Sequence, residues 1–360
     1  MTTTDFKSVI RAANQQLGNN RRNRDIGRCP PEGPRFELYH SAPSLCSHKV
    51  RTVLAEKDIP YRSHDLNIMP AGKSIPENYR PTYVRMRLLG GDDKGYATGY
   101  TGQSSVTSEG LDPCVVPTLV DHEKERVIVD SSRICNYLDS ETSTGTQLVP
   151  DHLADEIAAQ IDTIDRAPHV AILYGANPAG DRRPRGLQIG ITGVQDKKIR
   201  TLNAMIAELA PDDPIIEAYK SKISKEAGSR TFVGDPDSMR RAYAEMEAHA
   251  DALEAKLATH DGPWALGKDY TMADIMWTVS LYRLKWLGLA DTWESSDKRS
   301  RVATYVERAF QRPSFQFAVI NWPFAYAPSP HVEEMDTFGA KLRFFGQLLT
   351  RRNWLEYHFG

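Results

Sequence analysis

One of the four cysteines, Cys46, stands where a thiol becomes reactive. It lies in Ser44-Leu45-Cys46-Ser47, after the alternating run Phe36-Glu37-Leu38-Tyr39-His40 and at the start of a stretch with Val50, Val53 and Leu54 at helical spacing. That pattern predicts a strand, a loop and a helix whose first turn carries the cysteine. A helix N-terminus offers unpaired N–H groups and about half a positive charge. A thiolate there is stabilised and becomes a nucleophile at neutral pH. Dithiol chemistry would need a second cysteine three residues away, but positions 43 and 49 are Pro and Lys. Disulfide chemistry at Cys46 therefore needs a thiol from outside the chain. The other reading open to Cys46 is a small buried filler.

Two further pairs suit a peptide ligand. Val116-Pro117 opens a predicted strand. A cis bond there would turn Val116 outward, so that its N–H and C=O could pair with an extended peptide. An ordinary strand-edge proline is the alternative. Asp130-Ser131 precedes the last helix of this half. A hydroxyl and free N–H groups at a helix start bind carboxylates, and an adjacent Asp can receive an ammonium. Alone, the pair also reads as a plain N-cap.

The elements that must hold these residues follow an order. Strand, helix and strand (Phe36 to Ile68) precede strand, strand and helix (Val116 to Leu138), which predicts an α/β thioredoxin-like half. An insertion near 88–113, rich in Gly, Ser and Thr, divides it. Residues 35–142 form this domain. Residues 150–330 are helical throughout, with stripes such as Ile157, Ile161 and Ile164, and predict an all-α second domain. Thr271-Met272-Ala273-Asp274 reads as a capping box with Asp in place of Glu or Gln. The stretch 1–34, with its Asn, Arg and Pro, reads as a disordered arm. Residues 331–360 carry Leu342, Phe345, Leu348 and Leu349 among basic residues and read as an amphipathic tail.

Charge is nearly balanced, 45 Lys+Arg against 47 Asp+Glu, which excludes bulk attraction to nucleic acid. No apolar run reaches the length of a membrane span. The start Met1-Thr2-Thr3-Thr4-Asp5-Phe6 has no apolar signal core, so the expected location is cytoplasmic. The histidines, His169 among them, show no metal-ligand spacing, and no metal is expected.

Taken together, these residues resemble the glutathione S-transferase superfamily over roughly 35–330, including Trp264-Ala265-Leu266-Gly267 and Thr271 to Ile275. Ser44-x-Cys46-Ser47 with Lys49-Val50-Arg51 further resembles the zeta-like transferases and the glutathione-dependent reductive dehalogenases. So do blocks at 101–106, 115–123, 173–184 and 280–288. The resemblance implies that Ser44 and Cys46 are catalytic and that Ser47, Val116, Pro117, Asp130 and Ser131 hold glutathione, with Ser47 helping to cap the helix. It implies an enzyme of aromatic catabolism that removes halogen from a chlorinated hydroquinone through a glutathionyl intermediate and a Cys46–glutathione disulfide. The alternative is glutathione-dependent cleavage of β-aryl ethers of lignin-type phenolics; a non-catalytic binding protein is the third reading. The second substrate would be a small aromatic, with Tyr174, Arg182, Arg183, Tyr282 and Trp286 as candidate contacts. An Arg could offset a phenolate, and core packing is the other role open to each aromatic. The chain would pair as a homodimer, or as a heterodimer with another transferase chain.

Overall fold

Strand β-propensity and burial coincide at Phe36–His40, where all five side chains are buried, and this strand is central to the sheet around it. The computed structural model describes residues 6–18, 22–69, 75–91, 95–100, 102–103, 110–294 and 297–322. Its first elements are α1 (Phe6–Leu17), β1 (Arg24–Ile26), β2 (Phe36–His40), α2 (Leu45–Glu56), β3 (Tyr61–Asp65), α3 (Pro81–Leu88), β4 (Thr118–Asp121), β5 (Arg126–Val129) and α4 (Ser131–Glu141). The sheet order is β1-β3-β2-β4-β5. Strands β2 and β3 are parallel, while β2–β4 and β4–β5 are antiparallel. This is the expected thioredoxin-like arrangement with one added edge strand.

That added strand comes from the stretch expected to be disordered. Helix α1 buries Val9, Ile10, Ala13 and Leu17 along one face. They join a core with Tyr39, Tyr83, Met86, Val116 and Val129. Burying each of Val9, Ile10 and Leu17 is worth about 1.5–3 kcal/mol, enough to order a short helix. Asn14 on this helix donates to the buried Glu37 at 3.1 Å. Strand β1 pairs antiparallel with β3, Arg24 opposite Ser63 and Ile26 opposite Tyr61.

Beyond α4 the chain is helical: α5 (Ala154–Arg166), α6 (His169–Tyr174), α7 (Arg185–Ile191), α8 (Val194–Ala207), α9 (Ile215–Gly234), α10 (Pro236–Leu257), α11 (Met272–Trp286), α12 (Asp291–Glu294) and α13 (Ser300–Phe310). The chain divides into two compact units. Residues 1–100, 108–146 and 195–228 form the first; residues 101–107, 147–194 and 229–360 form the second. The helical segment 195–228 therefore belongs with the sheet, not with one helical domain over 150–330. Its apolar face explains this: Leu202, Met205, Ile215, Ala218 and Tyr219 bury against Tyr79, Val84 and Cys114. It also holds part of the insertion, where the Ala97 N–H donates to the Leu111 carbonyl at 2.9 Å and Ser224 donates to the Thr98 carbonyl at 2.7 Å.

In the second unit the capping box forms. The Asp274 carboxylate accepts from the Thr271 and Ala265 N–H groups, both at 2.8 Å, and from the Tyr305 hydroxyl at 3.1 Å. The turn before it closes by paired bonds between Trp264 and Gly267. A Cβ at Gly262 would lie 2.2 Å from the Gly267 backbone, so only glycine fits there. Among the described residues, no helix is long and apolar enough to cross a membrane. The amphipathic tail expected over 331–360 lies outside the described residues.

Candidate active site

Ser44 is the N-cap of α2, in extended conformation, and its Oγ accepts the Ser47 N–H at 3.3 Å. Serine is among the best residues for this place. A capping hydroxyl uses an oxygen lone pair, so its proton can still be donated elsewhere. Cys46, the second residue of the helix, is half-buried, whereas every residue from Ser47 to Leu54 is buried. Cys114 and Cys135 are buried, and burial pushes the Cys114 thiol well up. Burial also raises Cys29, whose sulfur points at the Ile26 carbonyl. Ser47 does not cap: its hydroxyl is fully buried and turned back to accept the Ser41 N–H at 3.2 Å. It shapes the loop that precedes the helix.

That loop is pinned from several sides. The Ala42 N–H donates to Asp65 at 2.8 Å, and the Ala42 carbonyl accepts from Arg51 at 3.1 Å and lies 2.8 Å from His48 Nε2. Arg51, buried, also reaches the Ser41 carbonyl and His40 Nδ1. A guanidinium can only donate, so His40 Nδ1 accepts and Nε2–H donates to Ser63 Oγ, 2.7 Å away. Burial beside Arg51 holds His40 well below its ordinary value, keeping it neutral. The buried network thus fixes the approach to the helix tip that bears Ser44 and Cys46.

Val116-Pro117 is cis, the first of the two readings its place in the sequence leaves open. The ladder between β2 and β4 begins at Thr118 opposite Tyr39, so Val116 lies outside it. Around it, carbonyl after carbonyl is engaged: Asp112 and Pro117 by Arg87, Cys114 by Asn78 and Val115 by Tyr83. Asp130 precedes α4 with φ +74°, a conformation that non-glycine residues rarely adopt. Its side chain makes no capping bond to the helix and faces Arg87 at 3.5 Å instead. Asp130 still holds the N-cap position, its carbonyl accepting the Ile134 N–H at 2.8 Å. Ser131 follows as the buried first residue of α4. In the helical unit, Tyr282 is core: it stands edge-on to Phe310 and Phe315. Arg183 is buried in a fork on Asp181 and donates to the Leu173 carbonyl. Arg182 pairs with Asp291 at the surface, Trp286 lies mostly buried under Arg283, and Tyr174 is half-buried at the end of α6.

Residues 43–141 match the family described as "Glutathione S-transferase, N-terminal domain", and residues 236–308 match "Glutathione S-transferase, C-terminal domain". Over 302 residues, 83% of this chain and 86% of the relative, it is 44% identical to 2,5-dichlorohydroquinone reductive dechlorinase of Sphingobium indicum. The chain belongs to the glutathione S-transferase superfamily. It is also 28% identical to tetrachloro-p-hydroquinone reductive dehalogenase of Sphingobium chlorophenolicum, over 80% of this chain and 98% of the relative. Among solved structures it shares the fold of the β-etherase LigF from Sphingobium sp. strain SYK-6, with TM-score 0.52 and 15% identity, covering 78% of this chain and 97% of that one.

Within this transferase, sequence reasoning missed Arg51, His40, Asp65 and Arg87. Arg51 follows Cys46 by five residues on α2, and its position alone does not reveal that its guanidinium turns back to the Ser41 and Ala42 carbonyls. Arg87 gave no local signal, because its partners lie 25 to 43 positions further along the chain.

Proposed function

We propose that this transferase binds glutathione and uses it to remove halogen reductively from a chlorinated hydroquinone. The observation that carries the reading is the half-buried Cys46 thiol on the Ser44-capped tip of α2. The 44% identity to a dechlorinase whose name states that reaction supports it. The Ser44 hydroxyl donates to the glutathione sulfur and favours thiolate over thiol. Val116 pairs with the cysteinyl backbone, and Asp130 and Ser131 take the ammonium and carboxylate of the γ-glutamyl end.

The steps balance. Glutathione thiolate attacks the halogen-bearing carbon of a ring tautomer, and chloride leaves with its electron pair. The Cys46 thiolate then attacks the glutathione sulfur; the carbon–sulfur bond breaks, and the ring carbon keeps the electron pair and takes a proton. A second glutathione thiolate resolves the Cys46–glutathione disulfide. One aryl chloride and two glutathiones give the dechlorinated ring, oxidised glutathione, chloride and a proton. Tyr174 and Arg182 are the proposed contacts of the aromatic; Trp286, Arg183 and Tyr282 act behind them through packing. The transferase works in the cytoplasm as a dimer with itself or with another transferase chain.

The test combines pure chain, glutathione and a panel of chlorohydroquinones and β-aryl ethers. Two glutathiones consumed per chloride, with oxidised glutathione formed, is the expected result. Cys46→Ser should then accumulate the glutathionyl hydroquinone and form no oxidised glutathione. One glutathione left on a phenol-releasing product would replace this reading with ether cleavage. Retention on immobilised glutathione with no turnover would replace it with a binding protein.

A further inference from the structure

Arg87, in the last turn of α3, is buried, at 1% exposure. Burying a guanidinium is costly unless its donors are met. Here Nε donates to the Asp112 carbonyl at 2.8 Å, Nη1 to the Pro117 carbonyl at 2.7 Å and to Thr118 Oγ1 at 3.0 Å, and Nη2 lies 3.5 Å from Asp130 Oδ1. Two of these acceptors adjoin different grips on the ligand. The Pro117 carbonyl follows Val116 directly, and Asp130 precedes Ser131. A further charge pair steadies the first side: the Asp112 carboxylate accepts from the Cys114 N–H at 3.0 Å and from Lys222 at 2.8 Å, on the 195–228 segment.

We propose that Arg87 is a positioning residue that couples the Val116–Pro117 turn to the Asp130–Ser131 helix start, so that the cysteinyl and γ-glutamyl parts of glutathione are bound cooperatively. The inference rests on the proposed glutathione binding. Asp130 holds a positive φ that non-glycine residues rarely adopt. The planar fork of Arg87 reaches both it and the Pro117 carbonyl at once; a lysine, a point donor on a flexible stem, cannot. Order imposed on one segment by the ligand is therefore passed to the other through one rigid group.

Calorimetry with reduced glutathione on the full chain tests this through a double-variant cycle. Arg87→Lys should weaken binding about tenfold or more, the scale of losing a buried hydrogen bond to a charged group. Ser131→Ala should cost about tenfold in the wild-type background and under about threefold in the Arg87→Lys background. Equal costs in both backgrounds, or unchanged affinity in Arg87→Lys, overturn the proposal, whatever happens to melting temperature. Hydrogen exchange on the wild-type chain needs no variant to fold. Cysteinylglycine, which lacks the γ-glutamyl end, should slow exchange at residues 131–134 as well as at 114–116; protection confined to 114–116 also overturns it. No heat with glutathione on the wild-type chain would sink the functional reading itself, a distinct result.

Discussion

At the scale of single residues, the capping role of Ser44 and its proposed catalytic role can be separated. As N-cap it stabilises α2 by about 1 kcal/mol; as the proposed proton donor to a ligand sulfur it would act only when glutathione is bound. Ser44→Ala should lower the melting temperature slightly but reduce turnover about a hundredfold, the scale of losing one preorganised donor to a developing anion. The ultraviolet absorbance of the bound thiolate should also appear at higher pH. Ser44→Asn, a good cap, should restore the melting temperature without restoring that absorbance. The candidate site residues drew notice in sequence because their signals are local: a cysteine after a capping serine, a proline at a strand start, an Asp-Ser pair before a helix. Ser47 was misread because nothing local tells a hydroxyl whether to face the helix end or the preceding loop. Arg51 and Arg87 were illegible for a related reason, since each works through carbonyls that only the fold brings within reach.

Among the elements, the thioredoxin-like half and the capping box could be read because period-2 and period-3.6 patterns and cap residues are themselves local physics. Helix α1 was missed because the apolar face Val9, Ile10, Ala13 and Leu17 is followed by an Asn- and Arg-rich run whose composition suggests disorder. The 195–228 helices were recognised as helical, yet their partner was not, because an amphipathic face does not name the surface that covers it. The start of α11 gives the sharpest test at this scale. Asp274→Ala would strand the buried N–H groups of Ala265 and Thr271 and leave the Tyr305 hydroxyl only the Asp274 carbonyl, at 3.4 Å. Leaving buried donors unmet costs about 1–3 kcal/mol each, so the variant should lose a large part of its stability and express mostly as aggregate. Chemical denaturation would show it; a midpoint within error of the wild type would refute the account.

For the whole molecule, acid is the weak direction. Glu37, buried among Asn14, Tyr39, His64 and His122, lies well below the usual carboxylate range despite burial. Asp112 is lowered likewise by Lys222 and Lys225. A carboxylate with a depressed native pKa contributes stability that is present above its unfolded value and lost as pH falls towards the native one. Neutral, buried His40 acts in the same sense, because the unfolded chain takes up its proton first. Stability should therefore be level above the ordinary histidine value of 6.5, fall as pH drops through it, and fall more steeply below the ordinary values of 4.5 and 3.8 of Glu37 and Asp112. Thermal melts from pH 8 to pH 4 measure this. A midpoint that does not move between pH 7 and pH 5 would remove His40 from the account.

Strand β1 is only three residues long, yet it decides how the sheet meets its surroundings. Without it, β3 would be outermost, offering a row of bare amides to any extended chain that drifts past. With it, the outermost row is short and salted by the Asp25–Arg62 pair, a poor template for stacking. A chain cut back to residue 30 should keep Ser44 and Cys46 but stick to itself, its sedimentation growing heavier with concentration while the full chain's stays constant.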